Sequence, residues 1–431
     1  MKILIIGAGG REHALAWKIR QSRMVEELFC SPGNAGIAEI ADCPPLASSD
    51  PDAVADFVAK QGIDLTVVGP EVPLCQGLAD KINAKKRACF GPSAAAARLE
   101  GSKVFSKQFM TRHGVPTAPY EIFDDVDAAM RALDTWEAPL VVKADGLAAG
   151  KGVFVCETID AARDAVAKLM VQKAYGGAGR TVLLERFLAG REASFFAISD
   201  GVRVIPLVTC QDYKRVFDAD RGPNTGGMGS HSPATHLDRP TMSYVLEKVV
   251  GPTVRGAAEE GYPYRGVLYV GLMLTPEGPQ VLEYNCRFGD PETQVLLPRL
   301  SSDLVPLLHA AAQGDLSSVR VEWRREAAVC VVGAAQGYPG HYQKGKKITG
   351  IEHLAGRPDV WAFHAGTRTG PAGEIRTAGG RVFGVTALGK DIAEARRRAY
   401  EAIGQVSFPG MHYRRDIAAG AIEPTRNGNH V

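Results

Sequence analysis

The most chemically capable run in the 431-residue chain is Glu283-Tyr284-Asn285-Cys286-Arg287-Phe288-Gly289-Asp290-Pro291-Glu292. Its first residues end a stretch that reads as a strand over Gln280–Cys286. Side chains two apart on a strand share a face, so Glu283, Asn285 and Arg287 project together, while Leu282, Tyr284 and Cys286 face the other way and pack. A carboxylate beside an amide oxygen supplies hard oxygen ligands suited to Mg²⁺, an ion that bridges nucleotide phosphates. Arg287 at the next position can stabilise charge on a transferring phosphoryl group. The same side chains also fit a polar edge-strand face with an internal Arg–Glu pair. Asp290 and Glu292 either serve a substrate or cap a helix starting near Thr293.

Two glycine-rich loops could meet phosphate. Lys143-Ala144-Asp145-Gly146-Leu147-Ala148-Ala149-Gly150-Lys151-Gly152 lies between two strands and suits a flap laid over phosphates, or an ordinary glycine hairpin. It is not a Walker A loop, because one residue too few separates Gly146 from Gly150 and Gly152 stands at the Ser/Thr place. Gly7-Ala8-Gly9-Gly10-Arg11-Glu12 follows a strand and opens a helix, where unpaired N–H groups can bind an anion. Glu12 occupies the position where the dinucleotide fingerprint needs glycine. That argues against an NAD-dependent oxidoreductase and leaves a monophosphate site or a structural turn.

Three further stretches carry polar groups at strand ends or among glycines: Leu183–Leu188 with Glu192 beyond it, Gln211–Arg215, and Gly222–Gly229. His231 and His236 have no third ligand nearby and read as solvated or capping residues. The eight cysteines contain no C-x-x-C pair, which excludes a zinc knuckle or dense disulfide scaffold and points to a reducing compartment. No G-x-S-x-G elbow supports a serine hydrolase.

The elements that must hold these groups fall into three parts. Over residues 1–102, the apolar runs Lys2–Ile6, Leu65–Gly69 and Cys89–Phe90 alternate with helical patterns, so a Rossmann-like parallel α/β sheet is expected. From 103 to 325 the order strand, strand, helix, strand (Leu140–Lys143, Val153–Cys156, Asp160–Val171, Thr181–Glu185) suggests a small antiparallel lid at about 116–190. A helix over Gly101–His113 precedes it, and a helix over Thr241–Glu260 and the strand Gly266–Leu274 follow. Between them Asp218–Pro233 reads as one long loop. An α+β segment, 326–431, has strands near Ala327–Gly333, Val360–His364 and Arg381–Leu388, a helix at Asp391–Gln405 and a loose polar tail. The net charge of +2 gives no basic excess for nucleic acid, and no apolar run approaches a membrane span. A cytoplasmic protein is expected.

Taken in order, the motifs resemble those of the glycinamide ribonucleotide synthetase family of the ATP-grasp superfamily, from Met1 to about Ile417. The resemblance rests on Ile6–Leu15, Pro32-Gly33-Asn34-Ala35-Gly36, Val68-Gly69-Pro70-Glu71, Leu99-Glu100-Gly101-Ser102-Lys103 and Lys143–Gly152. It continues through Gly222–Gly229, Arg287–Glu292 and Phe363-His364-Ala365-Gly366-Thr367. Ser230-His231 departs from a more usual Ala-Tyr.

What the resemblance implies is a ligase joining glycine to 5-phosphoribosylamine, with ATP and Mg²⁺ (or Mn²⁺), through a glycyl phosphate. It implies Lys103 and Lys143 on the ATP phosphates, with Gly146, Gly150, Lys151 and Gly152 closing over them. Glu185 and the backbone of Phe187 meet the adenine, Glu192 the ribose, and Glu283 and Asn285 the metal. Arg287 stabilises the acyl phosphate. Asp212, Lys214, Asn224, Thr225, Gly226, Gly227 and Asp290 hold glycine and the amine, and Gly9, Gly10 and Glu71 the phosphoribosyl group. The expected partners are these small molecules, with neither nucleic acid nor membrane. The chain is expected to be a monomer in at most transient contact with the preceding pathway enzyme. A carboxylase-type ATP-grasp relative using bicarbonate and a non-catalytic nucleotide-binding regulator are the alternatives.

Overall fold

The computed structural model describes residues 1–47, 49–147, 152–174 and 176–422. Its first sheet is parallel in the order Glu27–Pro32, Lys2–Gly7, Leu65–Val68, Ala88–Phe90. Ile3, Leu4, Ile5 and Ile6 are fully buried, because a sheet covered on both faces takes a continuous apolar strand. The order reverses direction beside the central strand, so Gly7 and Gly69 meet at the crevice where open α/β sheets offer their binding edge.

The expected antiparallel lid is present: Tyr120–Phe123, Val182–Arg186, Leu140–Ala144 and Val153–Cys156 pair in that order. Helix Ile159–Val166 covers it, started by Thr158, whose hydroxyl accepts from the Ala161 N–H, and buries Ala162, Ala165 and Val166. A second antiparallel sheet, Val204–Pro206, Arg191–Asp200, Arg265–Thr275, Gly278–Asn285, forms the floor beneath. The long helix expected from Thr241 begins instead at Arg239, capped by Asp238, and carries a π turn at Leu246–Val250. The expected helix over Gly101–His113 is Lys103–Arg112, because Ser102 caps it and ends the preceding helix Ala94–Gly101.

Asp218–Pro233 is not one irregular loop. Arg221–Asn224 pairs with Arg215–Phe217, and Gly229–Ser232 pairs along the strand Ala327–Ala335. Small polar residues hid that second strand. Ser230, His231 and Ser232 are wholly buried, and a Cβ on Gly229 would lie 2.7 Å from the Cys330 carbonyl oxygen. His231 is therefore a core residue, its Nδ1 3.2 Å from the Tyr213 hydroxyl, and not solvated.

The sheet so formed runs Gln211–Asp212, Gly229–Ser232, Ala327–Ala335, Arg381–Gly389, Val360–His364, and thus joins chain from both sides of residue 325. Helix Ile392–Ile403 packs on it. The Asp391 carboxylate caps that helix at the Glu394 N–H, and Ala395, Ala399, Ala402 and Ile403 are buried. The expected loose C-terminal tail lies outside the described residues. No helix among those described is long and apolar enough to cross a membrane.

Candidate active site

All these parts meet at one cleft of about 690 Å³, walled by the first sheet domain, the lid, the floor sheet and the C-terminal strands. Lys143 and Glu185 come from neighbouring antiparallel strands on one face. The Lys143 Nζ lies 2.8 Å from Glu185 Oε2, and Lys107 Nζ lies 3.1 Å from the same oxygen. Burial, against the pull of Glu185, brings the Lys107 ammonium down to about 8. Glu185 Oε1 and Ser106 Oγ are buried with no protein partner and line the same cleft, beside the apolar side chains of Met110, Leu188, Met273 and Leu282. Phe187 lines this slot too.

Lys103 opens its helix and donates from Nζ to the Gly146 carbonyl oxygen at 3.1 Å, reaching the glycine turn of the lid. Burial, then Lys143, lowers its pKa, with Glu283 opposing. Gly146 and Gly152 line the cleft; Gly150 and Lys151 lie outside the described residues.

The strand Gly278–Asn285 ends where its chemistry begins. Burial raises the Glu283 pKa, but Lys214, Lys143, Lys103 and Arg287 outweigh it and hold the carboxyl below its ordinary range. No ion pair to Glu283 falls within 4 Å among the described residues. Asn285 Oδ1 accepts one bond from Arg287 Nη2 at 3.2 Å. An ionised carboxylate and an amide oxygen, ringed by cations, fit a hard divalent ion that also binds phosphate oxygens. Arg287 itself is gripped by Glu71 at 3.2 Å and Glu100 at 3.1 Å, two partners from the first domain. Burial opposes its charge, yet those carboxylates raise its pKa overall. The internal Arg–Glu pair open from sequence is thus not with Glu283.

Asp212 is the odd carboxyl. Burial raises it to about 7, Lys214 opposes, and Glu292 and Glu192 add to the rise. The Lys214 ammonium sits 2.9 Å from Glu192 Oε2. Asn224, Thr225 and Gly226 line the cleft, while Gly227, at φ +110, lies against Pro291. Asp290 pairs with Arg381 Nη2 at 3.3 Å and accepts from Gln294 Nε2 at 2.7 Å. Helix Thr293–Arg299 has no side-chain cap, so neither Asp290 nor Glu292 serves that role.

The first glycine loop holds its own side chain. Glu12 Oε2 accepts from the Gly9 N–H at 2.6 Å, and a Cβ on Gly7, Gly9 or Gly69 would approach Glu12 atoms within 2.5, 2.8 or 2.0 Å. These glycines make room for a buried carboxylate, bonded also to Arg11 Nε at 2.5 Å. Gly9 and Gly10 do not line the cleft; Glu71 and Arg11 do.

Sequence reasoning missed Glu100, Lys107, Tyr338 and Arg381 as cleft residues. Lys107 had a signal, since it stands four residues after Lys103 on one helix face. Arg381 and Tyr338 had none, because strand pairing far along the chain brings them in.

Family models for phosphoribosylglycinamide synthetase match the chain in three pieces: the N domain over residues 1–100, the ATP-grasp (A) domain over 101–293 and the C domain over 328–420. The chain is 46% identical over 421 residues to a phosphoribosylamine–glycine ligase of Caldanaerobacter subterraneus, covering 97% of this chain and 100% of that one. A crystal structure of the Thermotoga maritima phosphoribosylamine–glycine ligase superposes with a TM-score of 0.85 at 36% identity, over 97% of this chain and 100% of that one. Biotin carboxylase from Campylobacter jejuni shares the fold, with a TM-score of 0.73 at 19% identity over 96% and 92% of the two chains.

Proposed function

Since the chain belongs to the phosphoribosylglycinamide synthetase family, we infer that it is an ATP-dependent ligase of purine biosynthesis, joining glycine to 5-phosphoribosylamine to give glycinamide ribonucleotide, ADP and phosphate. The observation that carries the reading is the convergence of Lys103, Lys143, Glu283, Asn285 and Arg287 on one cleft in a chain matched over 97% of its length. The carboxylase alternative has only fold-level likeness behind it.

Adenine enters the apolar slot by Phe187, where Glu185 and Ser106 offer unpartnered polar atoms. Glu192 is near enough to Lys214 to share the ribose hydroxyls with it. Lys103 and Lys143 neutralise the phosphates, with Gly146 and Gly152 of the lid above them. Glu283 and Asn285 would hold Mg²⁺ or Mn²⁺, which when bound screens phosphate charge. Glycine lies between Arg287, for its carboxylate, and Asp212, for its ammonium. Arg287, fixed by Glu71 and Glu100, is a preorganised cation for the acyl phosphate that forms when the carboxylate takes the terminal phosphoryl group. Asn224, Thr225, Gly226 and Asp290 line the end where the amine arrives, and Glu71 and Arg11 close it from the first domain. Positioning and charge neutralisation supply most of the rate, because a neutral amine is already a nucleophile. We place the enzyme in the cytoplasm as a monomer; eight free cysteines fit a reducing compartment.

Purified protein should release ADP only when ATP, Mg²⁺, glycine and fresh phosphoribosylamine are all present. ADP release indifferent to glycine overturns the reading. Glu283→Gln should lower kcat by about 10²–10³, the scale for loss of a major electrostatic group, in a chain that still unfolds cooperatively. Activity whose dependence on Mg²⁺ concentration matches the parent's removes Glu283 from the metal site.

A further inference from the structure

Residues 225–227 are held from three directions. Thr225 donates from its N–H and its hydroxyl to the Lys214 carbonyl oxygen, at 2.7 and 2.8 Å. Gly226 donates its N–H to the Tyr338 hydroxyl at 3.0 Å. Arg381 Nη1 donates to the carbonyl oxygens of Gly226 and Asp290, both at 2.6 Å, and its Nη2 pairs with the Asp290 carboxylate at 3.3 Å. One guanidinium from the C-terminal strands therefore bonds the glycine loop and the Asp290–Pro291 turn at once. A Cβ on Gly226 would lie 2.9 Å from Arg381 Cζ, and one on Gly227 would lie 2.4 Å from Pro291 Cδ. Tyr338 and Arg381 both line the cleft at this end.

Such a seam matters to a reaction that passes through an acyl phosphate. In the productive step the amine nitrogen bonds to the glycyl carbonyl carbon, the carbon–oxygen bond to phosphate breaks, and the surplus proton leaves with phosphate as hydrogen phosphate. Water attacking the same carbon breaks the same bond, returning glycine and hydrogen phosphate with one proton to solvent. ATP is then spent without product. Closed walls around a reactive intermediate suppress that side reaction.

We propose that Arg381 is a positioning residue that keeps ATP cleavage coupled to amide formation, by clamping residues 225–227 to the Asp290–Pro291 turn and shutting water out of the amine end of the cleft. The proposal rests on the ligase reading above. It assigns the C-terminal segment a part in the fidelity of the reaction rather than in nucleotide binding. The Arg381 guanidinium is already committed to protein acceptors, which suits a clamp better than a substrate ligand.

The test measures ADP and glycinamide ribonucleotide together for the full-length enzyme, Arg381→Met and Tyr338→Phe. Wild type should give a ratio near one. Arg381→Met should raise it to about 2–10, as expected when water gains access, with KM for ATP unchanged and the excess ADP still dependent on glycine. Tyr338→Phe, which removes only the acceptor for Gly226, should move the ratio less and in the same direction. It keeps the proposal testable if Arg381→Met does not fold. A ratio of one in the variants, with kcat simply lowered, overturns the clamp and leaves the ligase standing. A wild type that makes no amide overturns the ligase reading and the clamp with it.

Discussion

Asp212 is a carboxyl kept from its ordinary ionisation by its surroundings. Burial is the larger cause, and Glu292 and Glu192 add like charge that Lys214 only partly offsets, so it titrates at about 7. A site short of one positive charge is suited to an ammonium, and binding glycine there relieves the repulsion. Only the ionised form attracts the ammonium, and its fraction in the free enzyme falls about tenfold per unit below the pKa. We therefore expect kcat/KM for glycine to decline as pH drops below about 7. Asp212→Asn should lower that quantity about 10- to 100-fold at pH 8, as loss of a buried charged contact does, and abolish the acid limb. A limb that persists unchanged in the variant assigns it to another group.

The strand–turn–helix at the N-terminus shows how the same spacing can serve two different ends. Glycines after a strand and before a helix admit a ligand phosphate, yet here Gly7, Gly9 and Gly69 admit the Glu12 side chain. Gly69→Ala should destabilise the fold by about 1–3 kcal/mol, the usual cost of overpacking. In a Glu12→Ala background the same change should cost close to nothing, since the colliding atoms are gone. Urea denaturation of the four proteins gives the coupling; additive effects would mean that the glycines serve something else.

The contrast marks what the sequence could carry. Alternation made Glu283, Asn285 and the inward Cys286 legible, but not Leu282, which a register shift in the strand leaves lining the cleft; the antiparallel lid followed from element order. The ends of motifs were legible too, through caps such as Asp391. Contacts between distant strands were not. The buried strand Gly229–Ser232 is built of residues that signal loops, and Arg381 reaches the cleft only because its strand pairs with Ala327–Ala335. The roles of Arg287's two carboxylate partners depend likewise on how the first domain docks.

That docking has a titratable seam. Asn34 donates to the carbonyl oxygens of both Ala8 and His364, at 2.8 and 2.9 Å, and the His364 N–H donates to His13 Nδ1 at 2.8 Å. Trp17 stacks edgewise on Trp361 and Phe363 beside them. His13, buried and facing His364, is lowered to about 3, and burial lowers His364 to about 4. Burial likewise lowers His231, in the sheet that spans the floor and C-terminal segments, to about 4. In the unfolded chain each takes up a proton near its ordinary 6.5, so between that value and about 4 the unfolded state binds more protons. Stability from these groups is complete above 6.5 and lost as pH falls, at about 1.4 kcal/mol per unit for each histidine. Asp212 works in the opposite sense over the same range, because its folded pKa is raised, and it offsets one of the three. The expectation from these four groups together is a fall of about 2–3 kcal/mol per pH unit between pH 6 and 5, read from urea midpoints with constant m. His13→Leu should flatten that slope by roughly one proton's worth while lowering stability at pH 8, where the lost acceptor leaves the His364 backbone N–H buried and unpaired. A slope identical to the parent's would mean that His13 is protonated in the folded chain, and that the first and last domains are held together by an ion rather than by a neutral hydrogen bond.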